Sequence, residues 1–248
     1  MTAATSSTAM TATTAPLTNV ALCMSTLERA MNRSHHLPGM VAFYGPSGYG
    51  KTFSASYTAN QQQAYYIECK SSWTKKALLL AIAKEMSLVP ANTIYNLTDQ
   101  IAEQLVLSQR PLIVDEMDHM VDKKAVEIIR DIYEASQAPI LLIGEERMPN
   151  KLKRWERFHG RILDFVPAQP ASFDDAAHLR TLYGRGVEIA DDMLTEIHRI
   201  SRGSVRRICV NIDRLREVAA VEGWDVVNLQ RWGSRELFTG EAPARRVA

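Results

Sequence analysis

Between residues 40 and 167 short apolar runs alternate with longer amphipathic stretches. The runs MVAFYG (40–45), AYYIECK (64–70), PLIVDE (111–116), APILLIGE (138–145) and RILDFVP (161–167) are rich in aliphatic, β-branched and aromatic residues. Runs of that length and composition predict buried strands. The stretches between them predict helices: residue 51 to about 59, KKALLLAIAKEM, LTDQIAEQLVLSQ (97–109) and DKKAVEIIRDIYEAS (122–136). Ser72 or Thr74 stands where KKALLLAIAKEM needs a cap. MPNKLKRWERFHG reads as one more helix, a basic one, and NVALCMSTLERAMNRSHHLPG as a short helix ending in a turn at Pro38-Gly39. Strands alternating with helices predict an α/β fold, a parallel sheet sandwiched by helices, with binding chemistry at the carboxyl ends of the strands.

After Pro167 the pattern changes. AQPAS reads as a linker, and FDDAAHLRTLY, DDMLTEIHRIS and SVRRICVNIDRLREVAAVEG are helical in character, with no further strand signal. The expected organisation is a polar tail over residues 1–16, an α/β domain over 17–169, a small all-helical domain over 170–232 and a loose tail over 233–248. The Ala/Thr/Ser bias of MTAATSSTAMTATTAP fits a mobile end and lacks the charged and apolar regions of a secretion signal.

Composition narrows the classes further. Lys+Arg number 29 against Asp+Glu 28, a formal charge of +1, so no global field draws the chain onto nucleic acid and any such contact must be local. The three cysteines, Cys23, Cys69 and Cys209, are far apart and form no CxxC pair, which argues against a zinc site or disulfide framework. The longest apolar run, ALLLAIA (77–83), is too short to span a bilayer. These features predict a cytoplasmic protein with no membrane partner.

The candidate chemistry starts at GPSGYGKT. Gly45, Pro46, Ser47, Gly48, Tyr49, Gly50, Lys51 and Thr52 fit the phosphate-loop pattern between a predicted strand and a predicted helix. Its glycines let backbone N–H groups point at a β-phosphate, and the following helix adds its positive end. Lys51 would reach the β- and γ-phosphates of ATP, and the Thr52 hydroxyl would hold Mg²⁺. In PLIVDE, Asp115 ends a buried strand and would hold the same ion through its water shell. Glu116, directly after it, is placed to polarise the attacking water, which predicts a hydrolase. Asp118 and Asp122 read as solvated or capping residues. The six histidines show no metal-ligand spacing.

GPSGYGKT, LIVDEMDHM and GSVRRI together resemble an AAA+ ATPase. The resemblance implies that Arg206, after the glycine of GSVRRI, lies on a lid helix and touches the γ-phosphate. It also implies a trans arginine from a neighbouring copy just before the fifth strand, Arg161 ahead of Arg157, with Arg154 further upstream. Glu145 stands near the sensor-1 position, where many members of the superfamily carry Asn, Ser or Thr. A carboxylate there cannot donate to phosphate unless protonated.

YIECKSSWTKKALLLAIAKEM, LIVDEMDHMVDKKAVEIIRDIYEASQAPILLIGEE and RFHGRI are similar to a narrower group. These are the target-selection ATPases of transposing phages, typified by phage Mu transposition protein B, and of Tn7-like elements. This resemblance implies ATP-dependent self-association as a filament or ring on double-stranded DNA, largely without regard to sequence. It further implies recruitment of a transposase and release on hydrolysis. Mu-type proteins carry a DNA-binding helical module ahead of the ATPase, and only about 40 residues precede the phosphate loop here. DNA contact is therefore expected from the core, at Lys70, Lys75, Lys76, Lys123 and Lys124. The rival readings are a secretion-type ATPase module acting on protein partners and a replication initiator or helicase loader.

Overall fold

The computed structural model describes residues 17–241; the tail expected over 1–16 lies outside them. The described residues form two compact units, one comprising Thr18–Ala171 with Gly203–Arg206, the other comprising Ser172–Arg202 with residues 207–241 and Leu17. The first unit runs α1 (Thr18–Met31), β1 (Met40–Gly45), α2 (Lys51–Gln61), β2 (Tyr65–Glu68), α3 (Lys75–Glu85), α4 (Ile94–Ser108) and β3 (Leu112–Asp115). It continues through α5 (Asp118–Asp122), α6 (Val126–Ser136), β4 (Ile140–Glu145), α7 (Met148–Leu152), α8 (Glu156–His159) and β5 (Ile162–Pro167).

All five predicted strands form one parallel sheet in the order β2-β3-β4-β1-β5. Both of its faces are covered, which is why the strands read as continuous apolar runs. Side chains still alternate. Met40, Ala42, Leu112, Val114, Ile140 and Leu142 pack with α3–α8, whereas Val41, Phe43, Ile113, Leu141 and Ile143 pack with α1 and α2. The register aligns Gly45 with Glu145 and Glu68 with Asp115. The phosphate loop, the acid pair and the end of β4 therefore emerge at one edge.

Two of the helical expectations needed correction. DKKAVEIIRDIYEAS is not one helix, because Lys124 takes a left-handed φ of 57° and separates α5 from α6. MPNKLKRWERFHG likewise divides into α7 and α8, with the non-helical Trp155 (φ −111°, ψ 70°) between them. Of the two candidate caps for α3, Thr74 takes the role, accepting the Ala77 N–H at 3.3 Å.

The second unit holds α9 (Phe173–Tyr183), β6 (Glu188–Ile189), α10 (Asp191–Ser201), most of α11 (Val205–Glu222), β7 (Val226–Val227) and α12 (Leu229–Trp232). A capping box between Ser172 and Asp175 starts α9. The expectation of helices alone is corrected by β6 and β7, which pair in parallel over two residues each. The expectation of a loose tail from 233 is corrected as far as 241. Asn211 on α11 both donates to the Phe238 carbonyl (3.0 Å) and accepts its N–H (2.7 Å), and Arg235 pairs with Glu222 at 2.8 Å. Residues 242–248 lie outside the described residues.

Candidate nucleotide-binding site

The loop from Gly45 to Gly50 leaves β1 and enters α2. Gly48 and Gly50 have φ of 86° and 81°, a left-handed backbone that glycine adopts without penalty and that curls the loop. No side chain caps α2; Gly50 is its N-cap residue. The first-turn N–H groups of this eleven-residue helix thus open toward the loop. Lys51 folds back so that its Nζ donates to the carbonyls of Gly45 (2.7 Å) and Pro46 (3.0 Å). Burial holds the Lys51 ammonium below the ordinary lysine pKa, against the opposing pull of Glu116, Asp115, Glu145 and Asp118.

Asp115 ends β3 and is only 1% exposed. Each carboxylate oxygen has a donor, the Tyr66 phenol on Oδ2 at 3.0 Å and the Glu116 N–H on Oδ1 at 2.8 Å. Glu116 reaches that bond by taking a left-handed φ of 53°, uncommon for a residue with a side chain. Its carboxyl is pushed above the ordinary glutamate range, first by burial and then by the Asp115 charge, while His119 and Lys51 oppose the shift.

Asp118 departs from its expected role as a solvated or capping acid. It is 3% exposed and accepts the Glu145 N–H at 2.6 Å. Lys151 on α7 lies 3.3 Å from Asp118 and 2.9 Å from Asp122. The end of β4 makes room for this carboxylate: a Cβ on Gly144 would stand 2.3 Å from Asp118 Oδ2 and 2.4 Å from Met148 Sδ. The Asp118–Glu145 bond uses the Glu145 backbone and leaves its side chain exposed.

These elements enclose a cavity of about 270 Å³ lined by Ser47, Gly48, Gly50, Lys51, Thr52, Phe53, Glu116, Gly144, Glu145, Val205 and Arg206. Arg206 is held there by its backbone N–H, which donates to the Gly48 carbonyl at 3.1 Å. The predicted lysine, threonine, water-polarising acid and γ-phosphate arginine therefore share one cavity. Gly45, Pro46 and Tyr49 complete the loop outside its lining, and Asp115 stands behind it. The donors suit a hard divalent cation, since Thr52 and Asp115 offer only oxygen. Among the described residues no cluster of three or more His, Cys, Asp or Glu could cage a metal. An ion here would draw its other ligands from phosphate and water. A roomier cleft of about 810 Å³ in the second unit includes Arg180 and Asp191, which already pair with each other at 2.6 Å.

Arg157 and Arg161 do not reach this cavity. They line a separate depression of about 410 Å³ with Arg130, Asp131 and Glu134, and Arg161 is ion-paired with Glu134. Lys70, Lys75, Lys76, Lys123 and Lys124 are all exposed. Lys123 Nζ donates to the Trp73 carbonyl at 2.8 Å, which joins the loop after β2 to the loop after α5. Sequence reasoning gave Tyr66 and Gly144 no part in the site and read Asp118 as a solvated or capping acid, whereas it is buried beneath the end of β4.

The five-stranded parallel sheet in this order, with the phosphate loop leaving β1, is the core of an AAA+ fold. Residues 33–152 match the family model of the AAA domain, and such a domain implies ATP binding. Among solved structures, Cdc6p from Pyrobaculum aerophilum is similar at 16% identity and a TM-score of 0.62, over 87% of this chain and 66% of that one. The Orc1 protein of Aeropyrum pernix, solved in complex with DNA, gives 16% and 0.61, over 86% and 62%. The RuvB Holliday junction branch migration motor of Thermotoga maritima gives 23% and 0.58, over 85% and 65%. The chain thus spans just under two thirds of the length of these structures. No curated protein matches it. No described helix is long and apolar enough to cross a membrane.

Proposed function

We propose that the protein is a magnesium-dependent ATP hydrolase whose nucleotide state controls an assembly of copies on duplex DNA, and that it selects target DNA for a transposase. The observation that carries the hydrolase reading is the convergence of Lys51, Thr52, Glu116 and Arg206 on one cavity. In this reading the loop N–H groups and the start of α2 hold the β-phosphate. Lys51 exchanges the Gly45 and Pro46 carbonyls for phosphate oxygens, and Thr52 and Asp115 hold magnesium, which neutralises phosphate charge. Glu116 orients the attacking water and takes its proton, a task helped by a pKa that burial and Asp115 raise above the ordinary glutamate range. Arg206 contacts the γ-phosphate, and Arg161 or Arg157 of a second copy completes the site.

The DNA part has separate support. Structures of this fold include Orc1 in complex with DNA and a branch migration motor. The exposed lysines on the two joined loops and at the start of α3 offer phosphate contacts. A few such contacts per copy bind weakly, and neighbouring copies on one duplex multiply them. The transposition role rests on the sequence resemblance. A second reading, a replication initiator or loader, is favoured by the similarity to Cdc6p and Orc1.

Filter binding with random-sequence duplex, in a non-hydrolysable ATP analogue and in ADP, separates these readings. Analogue-dependent binding that ignores sequence supports target selection. Retention of particular sequences alone favours the initiator, and no retention in either nucleotide removes the DNA role.

A further inference from the structure

We infer that Tyr66 is a positioning residue for the divalent-cation site: its phenol donates to Asp115 on β3 and sets the plane of the cation-binding carboxylate. The inference rests on the magnesium–nucleotide reading above and assigns a role to a residue outside the recognised motifs. Tyr66 sits opposite Ile113, and Glu68 opposite Asp115, on adjacent parallel strands. Tyr66 and Asp115 therefore share a face, offset by two residues along the sheet, a diagonal that a phenol is long enough to span.

The contacts explain why a hydroxyl is needed there. A carboxylate has about four acceptor positions. On Asp115 one at Oδ2 takes the Tyr66 O–H (3.0 Å) and one at Oδ1 takes the Glu116 N–H (2.8 Å). With one bond on each oxygen, the carboxylate plane cannot turn without breaking both. An acceptor position remains on each oxygen for the water shell of a cation. Ser56, one helical turn beyond Thr52 on α2, neighbours the phenol. The phenol thus stands between the helix bearing one proposed ligand and the strand bearing the other. The adjacent Tyr65 faces the opposite side of the sheet, where its hydroxyl accepts from Gln104 at 3.2 Å. It provides a control with the same chemistry in a different place.

The test uses the full chain and a fluorescent ATP analogue, titrated in EDTA and across a range of Mg²⁺ concentrations. Tyr66→Phe keeps the ring and removes the hydroxyl. Its affinity in EDTA should stay within about twofold of the parent, while the Mg²⁺ concentration for half-maximal tightening rises about tenfold, in line with the loss of other outer-shell partners of metal ligands. Tyr65→Phe should leave that midpoint unchanged. An unchanged Mg²⁺ midpoint in Tyr66→Phe overturns the inference, as does an equal loss of affinity in EDTA. If the parent protein binds nucleotide with no response to Mg²⁺, the underlying reading fails first, and the parent titration alone reveals it.

Discussion

Glu116 combines a left-handed backbone with a carboxyl that burial and Asp115 push above its ordinary pKa. A folded-state pKa above the unfolded one means that ionisation subtracts stability as pH rises through the folded value. Glu116→Gln should therefore melt at a higher temperature than the parent at pH 7. That advantage should vanish below the unfolded glutamate pKa of about 4.3, which melts across a pH series will check. The same substitution should cut hydrolysis by about 10²–10⁴ while nucleotide still binds, because it removes the proton acceptor and leaves Asp115 in place. The pH profile of turnover should be narrowed from both sides. This holds for kcat/KM, which reports the free protein: its acid limb should lie above that of an ordinary glutamate and its alkaline limb, set by Lys51, below that of an ordinary lysine. At this scale local spacing made Lys51, Thr52, Asp115 and Glu116 candidates and the family resemblance added Arg206; Lys51, Thr52, Glu116 and Arg206 line one cavity. Tyr66 and Asp118 acquire their partners through strand register and through the approach of α7, neither of which leaves a mark in one sequence.

Strands were legible as elements because a doubly covered sheet demands continuous apolar runs. Helix continuity was less so. The break between α5 and α6 depends on Lys124 adopting a left-handed conformation that usually marks Gly or Asn. The pairing of β6 with β7 spans too few residues to show a period. The short α5 has a particular task, since it brings Asp118 under the end of β4. Gly144→Ala should test that packing. Its Cβ would stand within 2.4 Å of two side-chain atoms, so we expect a loss of about 1–3 kcal/mol in denaturant unfolding, together with slower hydrolysis. Thr74→Ala supplies the contrast. Removing the α3 cap should cost about 1 kcal/mol and leave turnover per folded molecule unchanged.

At the level of the whole molecule, the proposed site needs more than one copy. Arg157 and Arg161 open onto a depression of their own, away from the nucleotide cavity of the same chain. An arginine acting in trans should be rescued by mixing. Lys51→Ala and Arg161→Ala, each inactive alone, should recover part of the activity together, measured as phosphate release. Recovery with Arg157→Ala in place of Arg161→Ala would assign the role to Arg157. On DNA, Lys123→Ala should flatten the dependence of log affinity on log salt by about 0.9, the share of a single lysine–phosphate pair. The most direct test of nucleotide-controlled assembly on DNA is the hydrolysis rate per copy, measured against protein concentration with random-sequence duplex present. Assembly of this kind predicts a rate per copy that rises with concentration and rises further with DNA. A rate that stays constant with concentration and indifferent to DNA would contradict it.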